Sequence, residues 1–282
     1  MRDLFEHNLN KNRLHHQNIH KSRILVGVKG SDTIFDILTK IKEDWDKGKP
    51  ILLYDSDKRE GEIDMMFPSE LVVPAHVAQM RRDAGGLICV ALSDEHCKKL
   101  QLPFIATVYE NVRNLYPVIG MMSSHGLPYG ARSSFSLNVN HVKAFTGITD
   151  EDRALTISEL GNEARKFQDG MEKEELMRSF GSNFRLPGHV PLLRGAAGLL
   201  KSRLGHTELG LALCELTKNA PSVVMCEMMD AETFKATSLK KAKKYAEEHD
   251  LVLVDGNTVI NLWCAIKKIP KREIYQPPYL KS

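Results

Sequence analysis

The chain has 282 residues, 42% hydrophobic and 27% charged, with a formal net charge of +3. No uncharged apolar run is long enough for a membrane-spanning helix, and the lysines and arginines are spread among acids, which argues against a nucleic-acid binder. The segment Met1 to Ser22 is polar, carries His7, His15, His16 and His20, and has no apolar signal core, so the expected location is cytoplasmic.

Residues 1–33 show no regular apolar periodicity and are expected to form a flexible N-terminal extension. Ile34, Ile37, Leu38, Ile41 and Trp45 have helical spacing, with Asp32 as a cap. Pro50 precedes Ile51-Leu52-Leu53-Tyr54, a short apolar run expected to be a buried strand. A helix is expected over 69–83, closed by Gly85-Gly86, then a buried strand over 87–92. Phe135, Leu137 and Val139 alternate with Ser136, Asn138 and Asn140, a strand pattern.

A helix opens at 150–160. The charged stretch 161–183 reads as a surface excursion with some helix, and Arg185-Leu186-Pro187-Gly188-His189 as a rigid turn. An apolar helix spans 209–216, a strand 221–227, a charged helix 231–249 and a final strand 251–254. Strands and helices intermix from 34 to 265, so one mixed α/β domain is expected there, followed by a C-terminal tail over 266–282. The five cysteines, Cys89, Cys97, Cys214, Cys226 and Cys264, are odd in number and contain no C-x-x-C pair. That excludes a disulfide framework and favours buried free thiols.

Two segments concentrate chemistry. Asp55 to Asp64 holds five carboxylates in ten residues, and Glu60, Glu62 and Asp64 alternate with a period of two. In extended chain that spacing puts all three on one side. Such crowding suits a hard cation and proton-transfer groups, although a solvated acidic loop has the same composition. Arg203-Leu204-Gly205-His206-Thr207-Glu208 stands where a helix begins, which suits a phosphate. His206 there is either a metal ligand or a surface residue beside a Thr207 cap. His189 and Glu227 are ambiguous alone. Taken together, a carboxylate cluster, a phosphate cradle and fixed histidines fit enolisation of a phosphorylated ketose.

These motifs occur in a recognisable order. Arg59-Glu60-Gly61-Glu62-Ile63-Asp64, Gly86-Leu87-Ile88-Cys89, Thr146-Gly147-Ile148-Thr149 with Asp152-Arg153 and Thr156, the Arg185 to His189 turn, Arg203 to Glu208 and Cys226-Glu227 together resemble the 3,4-dihydroxy-2-butanone 4-phosphate synthase family over roughly 34–262. Ser56, Lys58, Gly61 and Ile63 depart from the common bacterial loop, so the form resembles the archaeal or another divergent branch.

The resemblance implies a lyase of riboflavin biosynthesis that converts D-ribulose 5-phosphate into L-3,4-dihydroxy-2-butanone 4-phosphate and formate. It implies a three-layer single domain with a mixed, twisted sheet flanked by helices, and a homodimer with its active site at the interface. The cofactor would be Mg2+, with Mn2+ as a substitute, held by Glu60 and His206. Arg59, Arg203, Gly205, Thr207, Thr146 and Cys89 would bind substrate or its phosphate, and Glu62, Asp64, His189, Glu227 and Asp55 would be catalytic. No nucleic-acid or membrane partner is expected. A non-catalytic homologue that binds a sugar phosphate or a protein is the competing expectation.

Overall fold

The computed structural model describes residues 24–25, 33–57, 59–122 and 133–276. In chain order the elements are β1 (Ile24–Leu25), α1 (Thr33–Asp46), β2 (Ile51–Tyr54), β3 (Ile63–Pro68), α2 (Pro74–Gln79), β4 (Cys89–Leu92), α3 (Asp94–Leu100), α4 (Ile105–Val112), α5 (Pro117–Met121) and β5 (Phe135–His141). They continue as α6 (Asp150–Gln168), α7 (Lys173–Asn183), β6 (Phe184–Arg194), α8 (His206–Thr217), β7 (Ser222–Glu227), a small hairpin of β8 (Met229–Asp230) and β9 (Lys235–Ala236), α9 (Leu239–Glu248), β10 (Leu253–Asp255) and α10 (Gly256–Lys267).

Strand alternation sorts the apolar side chains into two cores, one on each face of the sheet. Leu52, Ile63, Met65, Val90, Val224 and Cys226 face a core shared with α2, α6, α7 and α9. Leu53, Met66, Cys89, Val223 and Met225 face the other, shared with α1, α8 and α10. The result is the three-layer arrangement with a mixed sheet. Its eight strands run in the order β1-β10-β2-β3-β7-β4-β6-β5. β1, β10 and β2 are parallel, as are β4 and β6, while the β2–β3, β3–β7, β4–β7 and β5–β6 pairs are antiparallel. No helix among the described residues is long and apolar enough to cross a membrane.

Several expectations need correcting. Part of the N-terminal extension is structural, because Ile24–Leu25 pairs with Leu253 and Val254. The rest of 1–32, its four histidines included, and Lys58 lie outside the described residues. The stretch 161–183 is no loose excursion. It is the end of α6 and all of α7, with Ala164, Leu176 and Phe180 buried in the first core. Its charges occupy the outward faces and mask the apolar period.

The expected turn at 185–189 is part of β6. The register jumps from Val139↔Val190 to Asn140↔Arg185, so residues 186–189 form a large bulge around a cis Leu186–Pro187 bond. Residues 231–236 belong to the hairpin rather than to a helix, Ser238 caps α9, and α10 runs past residue 265. Beyond it Ile274 is buried in the second core, and the Tyr275 N–H donates to Leu200 O at 3.0 Å. Residues 277–282 lie outside the described residues. All five cysteines are buried free thiols.

Candidate active site

At the end of β2 the chain turns around the Asp55 carboxylate. Its Oδ1 accepts from the N–H groups of Ser56 (2.6 Å), Gly61 (3.0 Å) and Glu62 (3.2 Å). Its Oδ2 accepts from Glu60 N–H and from Arg59 Nη1, both at 3.1 Å. Buried N–H groups need partners, and here one carboxylate serves four of them and so dictates the loop's shape. Gly61 takes φ 67°, which its missing Cβ permits.

The chain returns as β3, where alternation puts Asp64 on the same sheet face as Met66. Asp64 is the register partner of Glu227 on β7. The Glu227 carboxylate is fixed from the main chain: Oε2 accepts from Leu87 N–H at 2.8 Å, and the Glu227 carbonyl accepts from Gly86 N–H at 3.0 Å. A Cβ at Gly86 would lie 2.5 Å from that Oε2, so the approach requires glycine.

Helix α8 begins against this face. His206 Nδ1 lies 3.3 Å from Glu60 Oε2, while Nε2 lies 3.2 Å from Glu62 O and 3.9 Å from Asp64 Oδ1. Burial pushes the imidazole pKa down, but the Asp64 charge and the Glu60 hydrogen bond outweigh it and raise it to about 9. Asp64 is fully buried, and its Oδ1 has no hydrogen-bond partner. Burial, with help from Glu227, Glu62 and Glu60, raises its pKa to about 7 against the opposing pull of His206. Glu62 is also raised, first by burial and then by Glu60.

Gly205 precedes the helix. A Cβ there would lie 2.8 Å from Glu208 Oε2, 3.1 Å from Arg59 Nη2 and 3.3 Å from Arg203 Cζ. Two guanidinium groups therefore converge on the first turn of a twelve-residue helix, where backbone N–H groups lack intrahelical acceptors. Buried Glu208 closes the turn by accepting from Gly205 N–H (3.2 Å) and Ala196 N–H (3.0 Å). Gly205, not Thr207, is the helix cap.

One cleft gathers these groups: Arg59, Glu60, Glu62, Asp64, Arg203, His206, Thr207 and Glu227 line it, with Cys89, Met225 and Leu193 adding apolar surface and Leu87, Ser134 and Phe135 also in its wall. The sequence profile of the 3,4-dihydroxy-2-butanone 4-phosphate synthase family matches residues 39–262. The chain belongs to this family.

Relatives named 3,4-dihydroxy-2-butanone 4-phosphate synthase include a protein of Methanothermobacter thermautotrophicus, 46% identical over 214 residues that cover 76% of this chain and 90% of the relative. Another, from Archaeoglobus fulgidus, is 44% identical over 224 residues, covering 79% and 92%. A crystal structure of a 3,4-dihydroxy-2-butanone 4-phosphate synthase in complex with two magnesium ions matches with a TM-score of 0.62 at 24% identity. The match covers 83% of this chain and 99% of that one, a likeness of fold.

Within this synthase-family fold, a metal can be tested against the donors present. Asp55, Glu60 and His206 offer ligand atoms that all lie within 4.8 Å of one another. Asp55 is already committed to the loop main chain, so Glu60 Oε2 and His206 Nδ1 are the pair that fits a divalent cation. An Nε2–H donated to Glu62 O would leave the Nδ1 lone pair toward Glu60, the usual arrangement for a ligating histidine.

Four residues expected from sequence are not among the cleft's lining: Asp55 and Gly205 belong to the loop and the helix start beside it, and the other two lie apart. His189 and Thr146 belong to a second cluster: Asn140 Oδ1 accepts from His189 N–H at 2.8 Å, and Asn140 Nδ2 lies 3.1 Å from His189 Nδ1 and 3.4 Å from Thr146 O. The Asp152 carboxylate accepts from the N–H groups of Phe145 (2.9 Å), Thr146 (3.1 Å) and Gly147 (2.8 Å), which hold its pKa below the usual carboxylate range. Arg185 Nη2 donates to the carbonyls of Ala144 and Phe145, both at 2.9 Å. The loop is thus rigidly built, yet Phe145 at its tip is 89% exposed. Sequence reasoning did not assign Leu87, Ser134, Phe135, Leu193 or Met225 to the site, although Leu87 stands in a quoted motif and Phe135 in an expected strand; only nearness to the cleft's motifs could have marked them.

Proposed function

We propose that this chain is a lyase that converts D-ribulose 5-phosphate into L-3,4-dihydroxy-2-butanone 4-phosphate and formate, a step of riboflavin biosynthesis. The observation that carries the reading is a buried carboxylate with an uncommitted oxygen, Asp64 Oδ1, in the same cleft as two guanidinium groups at a helix start. One end of that cleft suits a phosphate and the other a carbon acid.

Arg59, Arg203 and the first N–H groups of α8 would take the phosphate, with the Thr207 hydroxyl beside them. Asp64, with its pKa near neutrality, is suited to accept the C3 proton and return it later. Glu62 and Glu227 would hold the sugar hydroxyls, including the C1 hydroxyl that departs as water. After rearrangement of the skeleton, water re-enters as C4 leaves as formate, so the five carbons divide into four and one. A divalent cation on Glu60 and His206, magnesium with manganese as a substitute, would polarise adjacent substrate oxygens when bound.

The working unit in this reading is a homodimer whose partner supplies the second cluster to the cleft. Supporting it, His189 and Thr146 sit on a preorganised segment apart from the cleft, and Phe145, Ile148 and Leu186 beside them are exposed apolar residues. The setting would be cytoplasmic. The test is direct: purified protein with magnesium and ribulose 5-phosphate is assayed for formate and the four-carbon phosphate. Release of both supports the reading, and absence of formate from a folded, magnesium-loaded sample refutes it.

A further inference from the structure

Arg203 is held from two sides. Its Nη1 donates to Ser134 Oγ on one side and faces the buried Glu208 carboxylate on the other, 3.4 Å from each oxygen. The Ser134 contact is the closer of the two, and its acceptor is neutral. It therefore orients the guanidinium without cancelling its charge, whereas an acid in the same place would compete with an incoming anion.

Ser134 is itself placed by the sheet. Its carbonyl accepts from Arg194 N–H at 2.8 Å. Arg194 is anchored in turn: Nη1 donates to Leu102 O at 2.6 Å, Nη2 meets Asp94 Oδ1 at 3.2 Å, and the guanidinium lies 4.3 Å from the Phe104 ring centroid. Ser134 and Arg203 both line the cleft and come from separate segments, the start of β5 and the approach to α8. The hydrogen bond ties those segments together where the two guanidinium groups converge.

We propose that Ser134 is a positioning residue for the substrate's phosphate, acting through Arg203. The inference rests on the lyase reading for the identity of the substrate, but the anion site it describes can be probed without turnover. A long arginine side chain has many rotamers, and fixing its planar fork before binding removes an ordering cost that the ligand would otherwise bear. Losing the serine hydroxyl should therefore weaken phosphate capture while leaving the carboxylates that move protons in place.

The experiment compares wild type with Ser134→Ala and Ser134→Thr, using ribulose 5-phosphate turnover and, independently, the rise in melting temperature on titration with inorganic phosphate. For the alanine variant a single lost hydrogen bond to a cation predicts a KM raised about tenfold with kcat within about twofold. Half-saturation by inorganic phosphate should shift upward by a similar factor. The threonine variant, which keeps the hydroxyl, should recover both.

An alanine variant with unchanged KM and unchanged phosphate response overturns the inference, as does a drop in kcat alone. Failure of threonine to recover what alanine loses also overturns it, because the effect would then be packing and not the hydroxyl. If wild type shows no turnover at all, the lyase reading falls, and the phosphate titration still decides the role of Ser134.

Discussion

Asp64 and Glu227 are register partners on adjacent antiparallel strands, β3 and β7, so the sheet itself sets two carboxylates side by side. Like charges directly opposite each other destabilise a strand pair. The structure tolerates them because Leu87 N–H binds one and His206 approaches the other. Burial first, and the Glu227 charge after it, push the Asp64 pKa up to about 7 against the pull of His206.

Replacing Asp64 by Asn keeps the shape and removes the proton acceptor. The expected result is a kcat lower by about 10²- to 10⁴-fold with secondary structure retained by circular dichroism. Activity within a few-fold of wild type would move the role of base to Glu62.

Glu60→Gln and His206→Asn should each lower magnesium affinity by at least about tenfold, since each alters one of the two facing donor atoms, Glu60 Oε2 and His206 Nδ1, 3.3 Å apart. Titration calorimetry with magnesium alone reads this without substrate. His206 must also give up its proton to bind a cation, so magnesium affinity should weaken as pH falls below about 9.

Stability of the metal-free protein carries a pH signature from this site. The Asp64 pKa is raised from 3.8 to about 7, so the folded chain holds the proton more tightly, and stability falls as pH rises through that window. The His206 pKa is raised from 6.5 to about 9, so its stabilising contribution is complete below 6.5 and lost as pH rises through 9. Melting curves should show wild type losing more stability between pH 5 and 9 than an Asp64→Asn, His206→Asn double variant, all pH values here being set by those two shifts. Parallel curves would remove the two groups from the explanation.

The dimer reading makes a mixing prediction. Asp64→Asn and His189→Ala proteins, each inactive alone, should regain about a quarter of wild-type activity after co-refolding, because half the dimers are mixed and each mixed dimer has one intact site. No recovery from well-folded, mixed dimers would place His189 in the same subunit's chemistry or in none.

Gly86→Ala tests the support of Glu227. The added Cβ would lie 2.5 Å from Oε2 and 2.6 Å from the Glu227 carbonyl. A stability loss of about 1–3 kcal/mol in urea denaturation is expected, together with reduced turnover.

Much of this was legible in the residues. β2, β4, β5 and β7 announce themselves as apolar or alternating runs, and the period of two across Glu60, Glu62 and Asp64 marks the segment that turns into the cleft. β3 was hidden because its Asp64 was counted with the acids before it, and Met65-Met66 is not a strongly β-branched signal. β6 was hidden by Pro187 and Pro191, which discourage a strand reading although bulges and edges accommodate them. The start of α10 looks like a turn, Gly256-Asn257-Thr258, until Asp255 is seen to accept from Thr258 N–H at 2.7 Å as its cap. What sequence could not supply was distance: nothing in the order of motifs tells that His206 stands 3.3 Å from Glu60 while His189 joins a different cluster.

The turn around Asp55 separates the loop's architecture from its composition. Four of the five groups bound to that carboxylate belong to the main chain, and every residue but proline brings the same N–H. Side chains at 56, 60 and 62 can therefore be exchanged without unmaking the turn, provided Asp55 and the left-handed Gly61 stay. An engineer wishing to retune the charge presented to a ligand would find here a frame that accepts new side chains, and a protein drifting in sequence would find the same freedom.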